Sequence, residues 1–346
     1  MYALAFMVVI GLVVFVHELG HFLAARASGV RVYEFALGFG PRILSKRVGE
    51  TLYAVRALPL GGMCRFAGMD DTDMPGEKSD DDDPRSFVNR PFIQRIFIVI
   101  AGPLMNFLLA VVVFSALFGV YGVPTATVAE VLQGTPASEA GFAPNDTILA
   151  VDGAPVASVA GFVNTVAANW NRSLTVDVRR DGERMSLQVV PAYDPEVKVG
   201  RIGVKLSEVP VRTGPAGSVS GALRYTWGIV NTSVVSMKAM ISGRAKPDVS
   251  GPIGIATMSA QAARAGFSSL MMLVALISTS LGLLNLMPVP ILDGGWVVLL
   301  AIEQLRGRPL SEGVEGGLKL AGLVLLFALM VYATVGDISR LVGSHF

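Results

Sequence analysis

Cysteine is nearly absent from this sequence, and charge is scarce. The one cysteine, Cys64, has no intrachain disulfide partner and no second thiolate with which to build a sulfur-rich metal site. A small buried or interfacial residue is its simplest role. Charged side chains make up 16% of the 346 residues, against about 25% in ordinary soluble domains. Hydrophobic residues make up 52%, and the mean hydropathy is +0.57. That balance excludes a wholly soluble chain and leaves an integral membrane protein with room for one soluble domain. A net charge of +1 gives no basis for nucleic-acid binding. Histidine is also rare, with three in the chain: His17, His21 and His345, the last in the C-terminal tail.

The first two histidines stand in His17-Glu18-Leu19-Gly20-His21, at the end of the apolar run Tyr2 to Val16. On a helix, residues four apart share one face, so both imidazoles can reach one metal ion. Glu18 lies beside them, placed to handle the proton of a water activated by that metal. Ionisable groups inside a span are costly and usually functional. The bland alternative is a helix end emerging into water with its polar residues merely solvated. The N-terminus lacks the basic segment of a signal peptide, and its apolar run continues into His17, which predicts a retained helix.

A span needs about 20 mostly apolar residues. Tyr2–Ala25 and Phe92–Tyr121 qualify, the second with a kink or close-packing point at Ala101-Gly102-Pro103. Ser269–Leu292, interrupted by Asn285, Pro288 and Pro290, and Leu318–Val335 complete the set. Four regions follow: a membrane half over 1–122, a β-rich domain over 123–211, an interfacial segment over 212–268, and a second membrane half over 269–346. Within Arg26–Pro91, short extended pieces punctuated by glycines predict β-hairpins, then a polar loop whose acidic run Asp80–Asp83 reads as solvated. Arg26, Arg31, Arg42, Lys46, Arg47, Arg90 and Arg95 place this connection in the cytoplasm by the positive-inside rule. The N-terminus is then outside and the histidine motif near the cytoplasmic end of its span. The alternating pattern of 123–211, with turns at Asp152-Gly153 and Asp181-Gly182, predicts a compact extracytoplasmic domain. Ala216–Met240, with Tyr225 and Trp227, suits an interfacial helix; Arg224, Asn231 and Lys238 argue against a span.

Two histidines do not complete a catalytic zinc site, which takes three protein ligands and leaves one position open. Asp293, ending the third span and followed by Gly294 and Gly295, is the best candidate; the alternative is a helix N-cap. Glu34, Asp70 and Glu303 are weaker candidates in less apolar surroundings. Asn285 offers an amide to a substrate carbonyl, or a hydrogen bond between helices. Asn106 has the same ambiguity, and there the structural role is favoured.

In order and spacing, these residues resemble the site-2 protease family of intramembrane zinc metalloproteases. The match runs through His17–Phe22, Gly38-Phe39-Gly40-Pro41, Ala101-Gly102-Pro103 with Asn106, Gly251-Pro252-Ile253, and Asn285-Leu286-Met287-Pro288 leading to Leu292-Asp293-Gly294-Gly295. It is nearest to the bacterial regulator of sigma-E protease group. Gly134–Phe142, Asn145–Ile148 and Val151-Asp152-Gly153 resemble a PDZ domain, with length for one such domain. The resemblance implies a multi-span α-helical membrane protein of four transmembrane helices. It also implies a membrane-re-entrant β-hairpin within Arg31–Phe66 and one inserted extracytoplasmic PDZ-like α/β domain. It implies His17, His21 and Asp293 as zinc ligands and Glu18 as general base. It further implies location in the bacterial inner membrane, in contact with lipid, and substrates that are single-pass transmembrane proteins, such as trimmed anti-sigma factors or signal-peptide remnants. Asn285 would hold the substrate backbone or stabilise the oxyanion, and peptide ends would dock on the PDZ-like domain. Two other readings stand beside this one: a PDZ-containing membrane adaptor with a structural zinc, and a zinc hydrolase acting on lipid.

Overall fold

A computed structural model describes residues 2–68, 83–156, 158–195, 199–241, 250–308 and 310–343. Asp70, Asp80–Asp82 and His345 lie outside the described residues. The chain divides into two compact units, one of Met1–Ala110 with Pro247–Phe346, the other of Val111–Lys246.

The first unit begins with α1 (Tyr2–Ala27), then β1 (Val32–Val48), β2 (Thr51–Phe66) and the first part of α2 (Phe92–Tyr121). Among the described residues, four helical stretches are long and apolar enough to cross a membrane: Leu4–Ala27, Phe92–Tyr121, Phe267–Asn285 and Gly313–Arg340. Helix α1 packs close to α2, because a Cβ on Gly20 would overlap the Ala101 carbonyl. Leu4, Ile93 and Leu108 point outward and are more than half exposed, as an apolar surface facing lipid requires.

Separate short hairpins were expected from the first loop, but the chain forms one long pair of bent strands. Glu34–Leu37 lies between two stretches of β2. It pairs with Arg65–Gly62 running oppositely, and with Leu52–Val55 with the numbers rising together. Arg42–Val48 pairs in turn with Arg56–Thr51. The bends fall at Gly38, Gly40 and Gly61, where φ is 89°, 85° and 97°. At Gly38 a side chain would also strike the Leu58 carbonyl, so both conformation and space demand glycine. Inside the sheet, Glu34 accepts from Arg42 Nη2 at 2.8 Å and Arg56 Nη2 at 2.6 Å.

The second unit carries β3 (Val123–Val131), α3 (Pro136–Glu139), β4 (Thr147–Val151), β5 (Ala154–Pro155), α4 (Val159–Ala168), β6 (Leu174–Arg180) and β7 (Glu183–Val189). It continues through β8 (Ala192–Asp194), β9 (Val199–Arg201), β10 (Val204–Val211) and α5 (Pro215–Ile241). Its main sheet has the order β10-β3-β4-β6-β7, with β5 against β4. The alternation read in the sequence places Leu174, Val176 and Val178 inward, fully buried beside Val128, Ile148 and Phe162. Asp146, also fully buried, is held by Arg180 through two bonds of 2.7 and 2.8 Å. Removing one member of such a pair strands the other charge at a cost of about 3–5 kcal/mol. Because Arg180 is partly exposed, Arg180→Ala is expected to cost toward the low end, about 3 kcal/mol. Chemical denaturation of the isolated unit with intrinsic fluorescence would read it. An unchanged midpoint would contradict that role.

The chain returns to the first unit with α6 (Pro252–Ala265), α7 (Phe267–Asn285), α8 (Asp293–Arg306) and α9 (Glu312–Gly343). The third apolar stretch, Ser269–Leu292, breaks where its sequence marks an interruption, at Asn285. The helix stops at Asn285 because Pro288 and Pro290 lack the N–H that a helix interior needs. A tight turn follows, with Ile291 at φ 88°, an uncommon conformation for a β-branched residue. Buried Asp337 on α9 accepts from the backbone N–H groups of Gly251 and Gly254, at 3.2 and 2.7 Å, and so caps α6. This explains Gly251-Pro252-Ile253: side chains at 251 or 254 would meet the Asp337 carboxylate.

Candidate metal centre

Helical spacing places His17 and His21 one turn apart on the face of α1 turned toward α2 and α8. Both are at least nine-tenths buried. His21 Nδ1 lies 2.9 Å from the Ile98 carbonyl. A carbonyl only accepts, so Nδ1 carries a proton, and in the neutral imidazole Nε2 then keeps its lone pair. That lone pair points to His17 Nε2 at 3.2 Å and Asp293 Oδ1 at 3.5 Å. His17 Nε2 is 3.2 Å from Asp293 Oδ2. One ligand atom from each of these three residues lies within 4.8 Å of the others.

Asp293 is the first residue of α8, not its N-cap; that position falls to Leu292, which makes no side-chain capping bond. Gly294 and Gly295 let α8 start against the preceding turn, since a Cβ at either would strike the carbonyls of Leu286 and Val289 respectively. The carboxylate is thereby free to face the histidines. Its Oδ2 is buried without a hydrogen-bond donor. A buried acceptor left so is costly, and a cation shared with two imidazoles satisfies it. Two nitrogens and one oxygen are the donor set of a catalytic zinc site with an open position.

Glu18 sits behind this group. Its carboxylate accepts the backbone N–H of Cys64 on β2. A Cβ on Gly62 would come within 2.6 Å of Glu18 Cγ, so strand and glutamate are in close contact. Asn285 Nδ2 is 3.5 Å from His17 Nε2, at the last turn of α7. Asn106, which the sequence favoured as structural, stands with its Nδ2 3.2 Å from His17 Nδ1. The two weaker ligand candidates among the described residues lie elsewhere. Glu34 is held by its two arginines, and Glu303 faces Arg95 at 3.8 Å and accepts from the Leu310 backbone N–H at 3.0 Å.

The sequence marked Gly102 as part of a kink or close-packing point but did not tie it to the histidines; its absent side chain leaves the space filled by the His21 imidazole. A signal was present: Gly102 and Asn106 repeat on α2 the four-residue spacing of His21 and His17. Gly102→Ala is expected to displace His21 and weaken zinc binding about 10-fold or more, the scale of a lost supporting contact. Zinc retained after dialysis against graded chelator measures it; parent-like retention would show that the helices yield instead.

The model of peptidase family M50 matches residues 5–329. The chain belongs to peptidase family M50. This is the site-2 protease family that the motif order resembles, and the enzyme is a zinc metalloprotease. Similar to this M50 chain is a protein of Agrobacterium fabrum named as a candidate zinc metalloprotease, 34% identical over 99% of this chain and 97% of its own. A like-named protein of Clostridium acetobutylicum is 34% identical, over 95% and 94%. The regulator of sigma-W protease RasP of Bacillus subtilis is 30% identical, over 98% of both chains. A solved PDZ domain of an SdrC-like protein from Listeria monocytogenes is 18% identical and covers 24% of this M50 chain and 86% of its own, with a TM-score of 0.22.

Proposed function

We propose that this enzyme hydrolyses peptide bonds inside the transmembrane segments of single-pass membrane proteins, as a step of regulated intramembrane proteolysis. One observation carries the reading: two imidazoles and a carboxylate converge, largely buried, where apolar helices of spanning length meet. In this reading His17, His21 and Asp293 hold the metal. Bound zinc supplies Lewis-acid activation of a water and of the scissile carbonyl. Glu18 takes the proton of the attacking water and passes it to the leaving amine. The bond to the Cys64 N–H aims its carboxylate, and Asn285 donates to the substrate carbonyl as negative charge develops there. A structural zinc site has four protein ligands. Among the described residues only three donors converge, which favours catalysis over the adaptor reading.

A transmembrane helix must unwind before its peptide bonds are reachable. In our reading the re-entrant hairpin receives the unwound segment along the Gly62–Phe66 edge of β2 by strand addition. Non-helical backbone at that depth is tolerable where it lines a protein cavity. The basic residues near the first two spans support a site toward the cytoplasm and an inserted domain outside. There the domain, read as PDZ-like from its Gly134–Phe142 and Asn145–Ile148 motifs, screens substrates by size or binds their trimmed ends. The cell would be bacterial and the membrane its inner one, in keeping with RasP and the other relatives.

Cys64, the one cysteine of the chain, reports directly on the strand. In a Glu18→Gln background, single cysteines walked along a substrate's transmembrane segment should form disulfides with Cys64 at alternate positions, the period of a strand. Cys64→Ser abolishes them. A three-to-four-residue period, or no cross-link at any position, would reject strand addition.

A further inference from the structure

We propose that Asn106 is a positioning residue that fixes the tautomer of His17 by presenting its side-chain oxygen to His17 Nδ1–H. The proposal rests on the reading of His17 as a zinc ligand. A ligating Nε2 must be unprotonated, and a neutral imidazole then carries its proton on Nδ1. His21 shows the arrangement built in backbone: its Nδ1 faces a carbonyl oxygen, which cannot donate. Among the described residues, no carbonyl takes that place at His17 Nδ1. The polar atom at its Nδ1 is the Asn106 amide, placed with Nδ2 at 3.2 Å. Asn106 is itself fully buried.

The two ends of an amide are nearly alike in shape, so the side chain can turn over in place. The turn breaks no hydrogen bond at its other end, because Oδ1 is buried without a partner among the described residues. Turned over, Oδ1 accepts from Nδ1–H and directs the Nε2 lone pair toward Asp293 and His21. The backbone is already fixed for this. Ser278 Oγ donates to the Asn106 carbonyl at 2.8 Å, tying α7 to α2 at that residue, and Gly102, one turn earlier, seats His21. Helix α2 therefore orients both histidines, one through a missing side chain and one through an amide.

The test compares zinc affinity, by chelator competition, in the full-length parent chain and in Asn106→Asp, Asn106→Leu and His17→Ala. A carboxylate can only accept, so Asn106→Asp should bind zinc about as tightly as the parent. Asn106→Leu, similar in size without an acceptor, should lose about 10–100-fold. If the amide instead must donate to Nδ1, Asn106→Asp faces a lone pair with negative charge and loses zinc; that result overturns the inference. It decides the matter even where Asn106→Leu fails to fold. Parent-like affinity in a folded Asn106→Leu also overturns it. His17→Ala separates the two claims, because unchanged zinc there removes the ligand reading itself. With three histidines in the chain, ¹⁵N spectra of the zinc-loaded parent should show His17 protonated at Nδ1; an unprotonated Nδ1 contradicts the proposal.

Discussion

Glu18→Gln should keep its zinc and lose about 10²–10⁴-fold in kcat, the usual contribution of a positioned general acid–base group. The substitution preserves size, and the glutamine carbonyl can still accept the Cys64 N–H. The side chains of His17, His21 and Asp293 are untouched. What disappears is a group able to take a proton from water and return it to the leaving amine. Zinc content and single-turnover cleavage of a tagged membrane substrate measure the two halves separately. Normal cleavage by the variant would remove Glu18 from the proton transfer. Loss of zinc together with activity would instead mean that Glu18 supports the metal.

Asp293→Asn should weaken zinc binding by more than about 100-fold, since even a partner that only orients a ligand is worth 10–100-fold. The amide brings a neutral oxygen where a charged one shared the cation with two imidazoles. It also loses the favourable interaction of a carboxylate with the N-terminus of α8, about 0.3–1 kcal/mol in exposed helices. The fold should survive, because the close packing that seats α8 belongs to Gly294 and Gly295. Metal analysis after dialysis, with a melting curve as control, reads the effect. Unchanged zinc in a folded Asp293→Asn chain would take Asp293 out of the metal site.

Much of the site was legible in the sequence, for physical reasons that apply residue by residue. Histidines four apart in an apolar run have few bland explanations, and a carboxylate at the end of another apolar run needs a partner. Those arguments selected His17, His21 and Asp293, and the fold brings them together across some 270 residues of chain. The α2 face against them was harder to read. Gly102 matters through a side chain it lacks, and Asn106 through which helix lies opposite; their four-residue spacing stands in the sequence, but its match to His21 and His17 gains meaning only once α1 and α2 are packed. The hairpin had the reverse difficulty. Its glycines read as ends of short strands, whereas Gly38, Gly40 and Gly61 are bends within two long ones. Local glycine chemistry is the same in both cases, and only the second pairing partner of Glu34–Leu37 distinguishes them. The break in the third span was legible, because Pro288 and Pro290 cannot sit in a helix interior, and the helix stops at Asn285.

Whether one zinc site formed by distant helices cuts a substrate within its membrane-spanning segment is decided by cleavage of a tagged single-pass protein by the purified enzyme reconstituted in lipid, with the new termini located by mass spectrometry. A cut inside the apolar segment is expected, abolished by a zinc chelator and restored by added zinc. A cut confined to the soluble part of the substrate, or one indifferent to chelation, would contradict that reading.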